Sequence, residues 1–202
     1  MMLECKLLEE ILAPPPKLLF RNKQVEKARE LVAARESFVV RGPLGVGKST
    51  LLHMVKPLSA TYVSCMSCRT YKCLRRRLRS AKYYLIDDYI FAARDARVRA
   101  LVASLSPKAV VVTGGYFEEL EDLEVIEMPP YTVEELEEIV RERVVRLMLP
   151  ADEGDVKEAA RMGAMKGGNA RVALLELAER VAARLKGQHG VQSRLPPSCP
   201  AQ

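Results

Sequence analysis

The stretch FVVRGPLGVGKSTLL, residues 38–52, decides the fold. An apolar, β-branched run from Phe38 to Val40 enters a turn made of Gly42, Pro43, Leu44, Gly45, Val46 and Gly47. Lys48, Ser49 and Thr50 follow, and leucines carry on as a helix. The turn fits G-x-x-x-x-G-K-[ST] in full and lies between a predicted strand and a predicted helix. One chemistry explains the residue types. Backbone N–H groups can curl around phosphate oxygens where glycines tolerate the dihedrals required. The helix opening near Lys48 offers unpaired amides and its positive dipole end to the same anion. Lys48 is placed to reach β- and γ-phosphates, and Ser49 to ligate Mg²⁺.

Such a loop needs a second anchor for the metal. YYLIDDY, residues 83–89, supplies it: an apolar strand delivers Asp87 and Asp88 at its carboxyl end. Asp87 suits the magnesium shell, and Asp88 is placed to orient or activate a water.

Working outward, RNKQVEKARELVAARES reads as a helix with Val25, Ala28, Leu31 and Val32 on one face. STLLHMVK is a helix that Pro57 ends, TYVSC a strand, RTYKCLRRRLR a helix, and 92–105 a helix. AVVVTGG and LEVIEM complete five strands. Alternating strands and helices predict a parallel sheet with helices on both faces. After Pro129-Pro130 only helices follow. Thr132 and Glu135 predict a capping box, with Val133, Leu136, Val140, Val144 and Leu147 inward. Two more helices cover about 153–163 and 169–186. The expected plan is an N-terminal helix and proline linker (1–16), an α/β P-loop NTPase core (17–129), a small three-helix lid (130–186) and a disordered tail (187–202).

Composition narrows the class. No apolar run is long enough to span a bilayer, and the acidic start lacks the basic opening of a secretion signal, so the expected location is the cytoplasm. The net charge of +6 is segregated. Residues 116–158 hold fifteen acids and four bases, leaving twenty-eight bases against eleven acids elsewhere. That split suggests a basic face for an anionic partner. Scarce Asn and Gln with abundant Arg and Glu point to a thermophilic source. Cys5, Cys65, Cys68, Cys73 and Cys199 make no even disulfide set. The C-x-x-C at 65–68 invites a zinc or redox reading. A structural zinc needs four ligands, so these cysteines are taken as small apolar residues at a strand end.

The chain resembles an AAA+ ATPase. AVVVTGGY resembles the strand whose polar tip, here Thr113, senses the γ-phosphate. GGNARVALLELAERVA resembles the lid helix that opens with a sensor arginine, here Arg171. IEMPPYTVEELEEIVRERV and TYVSC resemble the junction and second strand of the replication-initiator clade, the origin-recognition ATPases of archaea and eukaryotes. The resemblance covers residues 17–186 and implies ATP and Mg²⁺ as ligands, with adenine near Phe20, Arg21 and Tyr131. Three departures stand out. Asp88 replaces the family's usual Glu, the interval GGYFEELEDLEVIEM carries no arginine to serve as a finger, and no winged-helix segment follows the lid.

Three functions remain in view. One is a slowly hydrolysing nucleotide switch in DNA replication or other DNA transactions. Another is an accessory subunit that works through a helicase or clamp-loader partner. The last is a defence-type signalling ATPase, against which the GNAR run at 168–171 speaks. For DNA, residues 69–82 hold seven bases and no acid. Lys72, Arg75, Arg76 and Arg79 follow i, i+3, i+4, i+7 spacing, while Leu74 and Leu78 face the core. In the resembling clade this segment carries a DNA-contacting insertion, which makes double-stranded DNA a candidate partner. The competing expectation is a solvated helix whose charges pair with the acidic lid.

Overall fold

In the computed structural model, residues 2–57, 59–79, 83–105, 109–113 and 115–188 are described. The β-branched and apolar runs form strands β1 (Phe38–Arg41), β2 (Ala60–Ser64), β3 (Tyr83–Asp87), β4 (Ala109–Thr113) and β5 (Glu124–Glu127). All pairings are parallel, in the order β2-β3-β4-β1-β5. Parallel strands covered on both faces read as continuous apolar runs, and every residue of β3 is buried. The helices are α1 (Met2–Leu12), α2 (Asn22–Ala34), α3 (Lys48–Val55) and α4 (Tyr71–Arg77). They continue with α5 (Ala96–Ala103), α6 (Val133–Leu147), α7 (Glu153–Met165) and α8 (Ala170–Gln188).

Side chains alternate across the sheet. Val39, Val63, Tyr84, Ile86 and Val111 point to one face, under Leu74 and Leu78 around α4 and Val98 and Val102 of α5. Phe38, Val40, Leu85 and Val110 point to the other. That face is left to α2 and α3, which bury Val25, Ala28 and Leu31, and Leu51, Leu52 and Val55.

The chain divides into two compact units. One is Phe20–Pro129, the sheet and its helices. The other joins the N-terminal segment through Leu19 to the chain from Pro130 onward. The three expected lid helices are present, but α1 packs with them, against α8 and α6. Long-range packing explains the difference. Ile11 is fully buried, and the Arg143 guanidinium donates to the Ala13 carbonyl at 2.8 Å. Arg143 itself corrects the expected inward face of α6. Leu136, Val140 and Arg143 are buried, whereas Val133 is exposed and Val144 and Leu147 are half-buried. Burial, then the neighbouring Arg146 charge, pulls the Arg143 pKa below its ordinary value.

The Thr132–Glu135 capping box forms as expected, and a second, Asp152–Asp155, opens α7. The helix expected over 92–105 is shorter. A single 3-10 turn covers Tyr89–Phe91, and α5 waits for Asp95, whose carboxylate accepts from the Arg97 amide at 2.9 Å. At the other end of the chain α8 runs on to Gln188, and the rest of the expected tail lies outside the described residues. The cysteine expectation is corrected. Cys68 and Cys73 are disulfide-bonded, with Cα atoms 5.6 Å apart, because Thr70 caps α4 and turns Cys73 back onto the preceding loop. Cys65 is free and buried, its thiol pushed up to about 12 by burial and by the charges of Asp88 and Asp87.

Candidate functional site

The turn between β1 and α3 is fixed by its backbone. Gly45 and Gly47 adopt left-handed φ values of 77° and 94°, where a side chain would be strained. Gly42 lies so close to Met128 that a Cβ would strike the Met128 carbonyl oxygen. The Met128 amide in turn donates to the Arg41 carbonyl at 2.7 Å and holds that approach. Gly47 caps α3 without a side chain, and the first helical hydrogen bond runs from the Leu51 amide to the Gly47 carbonyl at 2.8 Å. The N-cap supplies no side-chain acceptor to the first turn of α3, and a helix start of that kind is suited to receive an anion. Val46 plugs the loop into the core, Leu44 is exposed at its tip, and Pro43 shapes the entry. The Lys48 ammonium donates to the carbonyls of Gly42 at 2.8 Å and Pro43 at 2.6 Å, folded over the loop it serves.

Asp87 closes β3 at 1% exposure. Its Oδ1 accepts from the Asp88 amide at 2.9 Å and its Oδ2 from the Tyr62 hydroxyl at 2.8 Å. Tyr62 was not read as a site residue from the sequence. Asp88 is half-buried, has φ 55°, and takes a long 3.5 Å hydrogen bond from the Ser64 hydroxyl. Burial, then the bond to Asp87, raises the Tyr62 phenol above its ordinary pKa. Ser49 and Asp87 together offer hard oxygen donors, one from the start of α3 and one from the end of β3. That donor set fits Mg²⁺, which favours carboxylate, hydroxyl and water oxygen.

Thr113 ends β4 level with Arg41, which brings its backbone beside the entry to the loop. Phe20 is 45% exposed and holds a left-handed φ of 59°, a conformation rare for an aromatic residue. Beside it Arg21 is buried, donating to the carbonyls of Phe20 at 3.1 Å and Pro129 at 2.6 Å. Arg21 thus ties the first and last residues of the sheet unit together.

Tyr131 and Arg171 belong to the helical unit. Tyr131 is buried and its amide donates to the Gly168 carbonyl at 3.2 Å. Gly168 has φ 70°, and a Cβ there would lie 2.5 Å from the Tyr131 carbonyl oxygen. The G-G-N turn is therefore pressed onto the junction, and Asn169 caps α8 by accepting from the Val172 amide at 3.2 Å. Arg171 is exposed in the first turn of α8.

The basic segment differs from its expected form. Helix α4 ends at Arg77, so Lys72, Arg75 and Arg76 lie on the helix and Arg79 lies beyond it. Three successive arginines in the last turn crowd like charge, and Leu78 makes the closing bond to Leu74 at 2.9 Å. All four bases are exposed, and none makes an ion pair among the described residues. The acids of the helical unit pair instead with that unit's own arginines. Arg141 meets Glu138 at 2.8 Å, Arg146 meets Glu142 at 2.8 Å, and Arg184 meets Asp155 at 2.6 Å. Arg75 and Arg97 stand 6.0 Å and 5.4 Å from the Tyr71 ring centre.

The overall fold is shared with solved structures. Cdc6p from Pyrobaculum aerophilum aligns with TM-score 0.70 and 17% identity, covering 90% of this chain and 66% of that one. The Aeropyrum pernix ORC1 protein, solved in complex with DNA, aligns with TM-score 0.69 and 20% identity, covering 92% and 65%. These proteins have the same α/β fold, a parallel sheet flanked by helices. The Thermotoga maritima RuvB Holliday junction branch migration motor shares it at TM-score 0.67 and 22% identity, covering 89% and 68%. The chain spans about two thirds of the length of these chains. No family model and no curated protein matches the sequence. Among the described residues no helix is long and apolar enough to cross a membrane.

Proposed function

We propose that this protein binds ATP with Mg²⁺ on the β1–α3 loop, hydrolyses it slowly, and uses the nucleotide to control its hold on DNA or on a replication or helicase protein. The observation that carries the reading is the pairing of an amide-lined, glycine-built loop at the start of α3 with a buried carboxylate, Asp87, at the end of β3. Lys48 would release the loop carbonyls and take the terminal phosphates, and the first-turn amides would take the remaining phosphate oxygens. Ser49 and Asp87 would hold Mg²⁺, which neutralises charge on the phosphates when bound. Asp88 would orient the attacking water, with Thr113 and Arg171 reading the γ-phosphate and Phe20, Arg21 and Tyr131 bordering the adenine. These last roles rest on resemblance.

Slow turnover follows from two features. Asp88 is a methylene shorter than the Glu of the resembling ATPases, and the chain from Tyr116 to Met128 holds no arginine. Arg97 is engaged by Asp95 at 2.8 Å, and Arg99 by the Ala93 carbonyl at 2.9 Å. Arg94 is exposed and has no ion-pair partner among the described residues, so it is the remaining candidate for a finger offered to a neighbour.

A DNA role is supported by the exposed bases of α4, and by the likeness to a protein solved in complex with DNA and to a Holliday junction branch migration motor. Calorimetry tests the core of the reading: ATP·Mg²⁺ should bind wild type and not Lys48→Ala, and equal affinities would reject it. Turnover stimulated by duplex DNA alone supports the switch. Turnover that needs a second protein supports the accessory-subunit reading, which the missing arginine favours.

A further inference from the structure

We infer that Tyr62 is a positioning residue for the metal-holding carboxylate: its hydroxyl fixes the orientation in which Asp87 faces the loop. The inference rests on the proposed ATP·Mg²⁺ site and names a residue that the loop and acid motifs leave out.

The placement follows from the sheet. Strands β2 and β3 run parallel with Ser64 level with Asp87 and Tyr62 level with Leu85. Tyr62, Ser64, Leu85 and Asp87 therefore share a face, and Tyr62 sits two residues behind Asp87. A tyrosine is long enough to bridge that offset, and its hydroxyl donates to Asp87 Oδ2 at 2.8 Å. The opposite oxygen, Oδ1, is held by the Asp88 amide at 2.9 Å. One donor on each oxygen removes the freedom of the carboxylate to rotate. Each oxygen keeps acceptor capacity, so the group remains able to serve a hydrated cation.

The ring of Tyr62 is itself held. His53, in the last turn of α3, lies with its ring centre 4.8 Å from that of Tyr62. A continuous link thus runs from the helix that opens at the phosphate loop, through His53 and Tyr62, to Asp87. Donors that orient a metal's carboxylates matter to affinity even though they never touch the metal. Among the described residues no other side chain donates to Asp87, which is buried to 1% exposure, so loss of the hydroxyl leaves Oδ2 without that donor.

Tyr62→Phe keeps the ring and the contact with His53 and deletes the hydroxyl alone. ATP affinity is measured by calorimetry in EDTA, and Mg²⁺ affinity at saturating ATP. The expected result is Mg²⁺ affinity lowered roughly tenfold, with ATP affinity in EDTA unchanged. In an Asp87→Asn background, Tyr62→Phe should cost no further Mg²⁺ affinity. His53→Ala, an exposed change that keeps the hydroxyl but frees the ring, should give a smaller loss in the same direction. Unchanged Mg²⁺ affinity in Tyr62→Phe overturns the inference while leaving the ATP·Mg²⁺ site intact. A parallel fall in EDTA overturns it in favour of a merely structural tyrosine. Wild-type protein whose ATP binding ignores Mg²⁺ overturns the metal site itself, and the role of Tyr62 with it.

Discussion

The β1–α3 loop and the basic helix α4 are both short, charged and near the carboxyl edge of one sheet, yet they are built differently. In the loop, conformation is imposed from several sides at once. Gly42 is pinned against Met128, Gly45 and Gly47 take φ values that other residues adopt only with strain, and Val46 is buried beneath. Helix α4 has seven residues, one N-cap bond from the Cys73 amide to the Thr70 hydroxyl at 3.3 Å, a disulfide at its first turn, and Leu74 and Leu78 as apolar anchors. A helix that short has little stability of its own and depends on its packing. Charge on the loop is therefore presented in one geometry, which suits a ligand of fixed shape. Charge on α4 is presented on exposed arginine side chains, which suits a partner read by charge alone.

The largest effect expected from breaking this contrast is at Lys48. Lys48→Ala removes the point charge on the terminal phosphates, and ATP affinity should fall on the order of a hundredfold or more. Duplex DNA binding by the nucleotide-free protein should not change, because α4 is untouched. Calorimetry with ATP and fluorescence anisotropy with DNA measure the two separately. A loss of both would mean that the regions act as one site.

Next comes Leu74→Ala, which cuts the fully buried anchor of α4. Deleting a buried leucine side chain costs about 2–5 kcal/mol, read as a lower midpoint in guanidinium unfolding. At 25 °C the surviving folded protein should still bind ATP normally. Lost ATP affinity in folded Leu74→Ala would show that the loop leans on α4 after all.

What could be read from the sequence follows the same division. The loop, the acid-tipped strand and the Thr132–Glu135 box were legible because each is local: a few adjacent residues fix the conformation. Strands β1 and β3 could be placed from their apolar runs for the same reason. What escaped is long-range. Arg143 is buried because of Ala13, 130 residues away, and no helical period reports that. Tyr62 reads as one more aromatic residue in a strand until the register sets it beside Asp87, 25 residues on. The Cys68–Cys73 pair depended on a turn that Thr70 makes, and spacing alone did not settle whether those thiols meet. The Asp152–Asp155 box was local and visible as D-x-x-D, but Asp at its fourth position hides it from a search for Glu or Gln.

Replacing Arg75, Arg76 and Arg79 together should have a smaller effect, confined to DNA. If Lys72 and these three neutralise about four phosphates, log K against log salt should slope near −3.6 for wild type and near −0.9 for the triple Ala variant. Affinity at moderate salt should fall roughly tenfold or more, about equally for unrelated sequences. Because Arg79 lies past the end of α4, Arg79→Ala alone should change the slope less than Arg75→Ala. An unchanged slope in the triple variant would remove α4 as the contact surface.

The smallest expected change is the most informative about the departure at Asp88. Its φ of 55° lies in the left-handed region, which Asp and Asn tolerate better than longer side chains. Asp at this position is therefore favoured by the backbone as well as by any chemistry. Asp88→Glu lengthens the reach towards a water and should raise turnover by about threefold, while backbone strain lowers stability by about 1 kcal/mol. Asp88→Asn keeps the backbone preference and removes the charge, so stability should hold while turnover falls about tenfold or more. Steady-state ATPase assays and thermal melts on the same two variants separate the effects. If Asp88→Asn turns over like wild type, Asp88 does not act on the attacking water. The left-handed turn after β3 would then serve only to aim the Asp88 amide at Asp87, which is a structural task that Asn performs equally well.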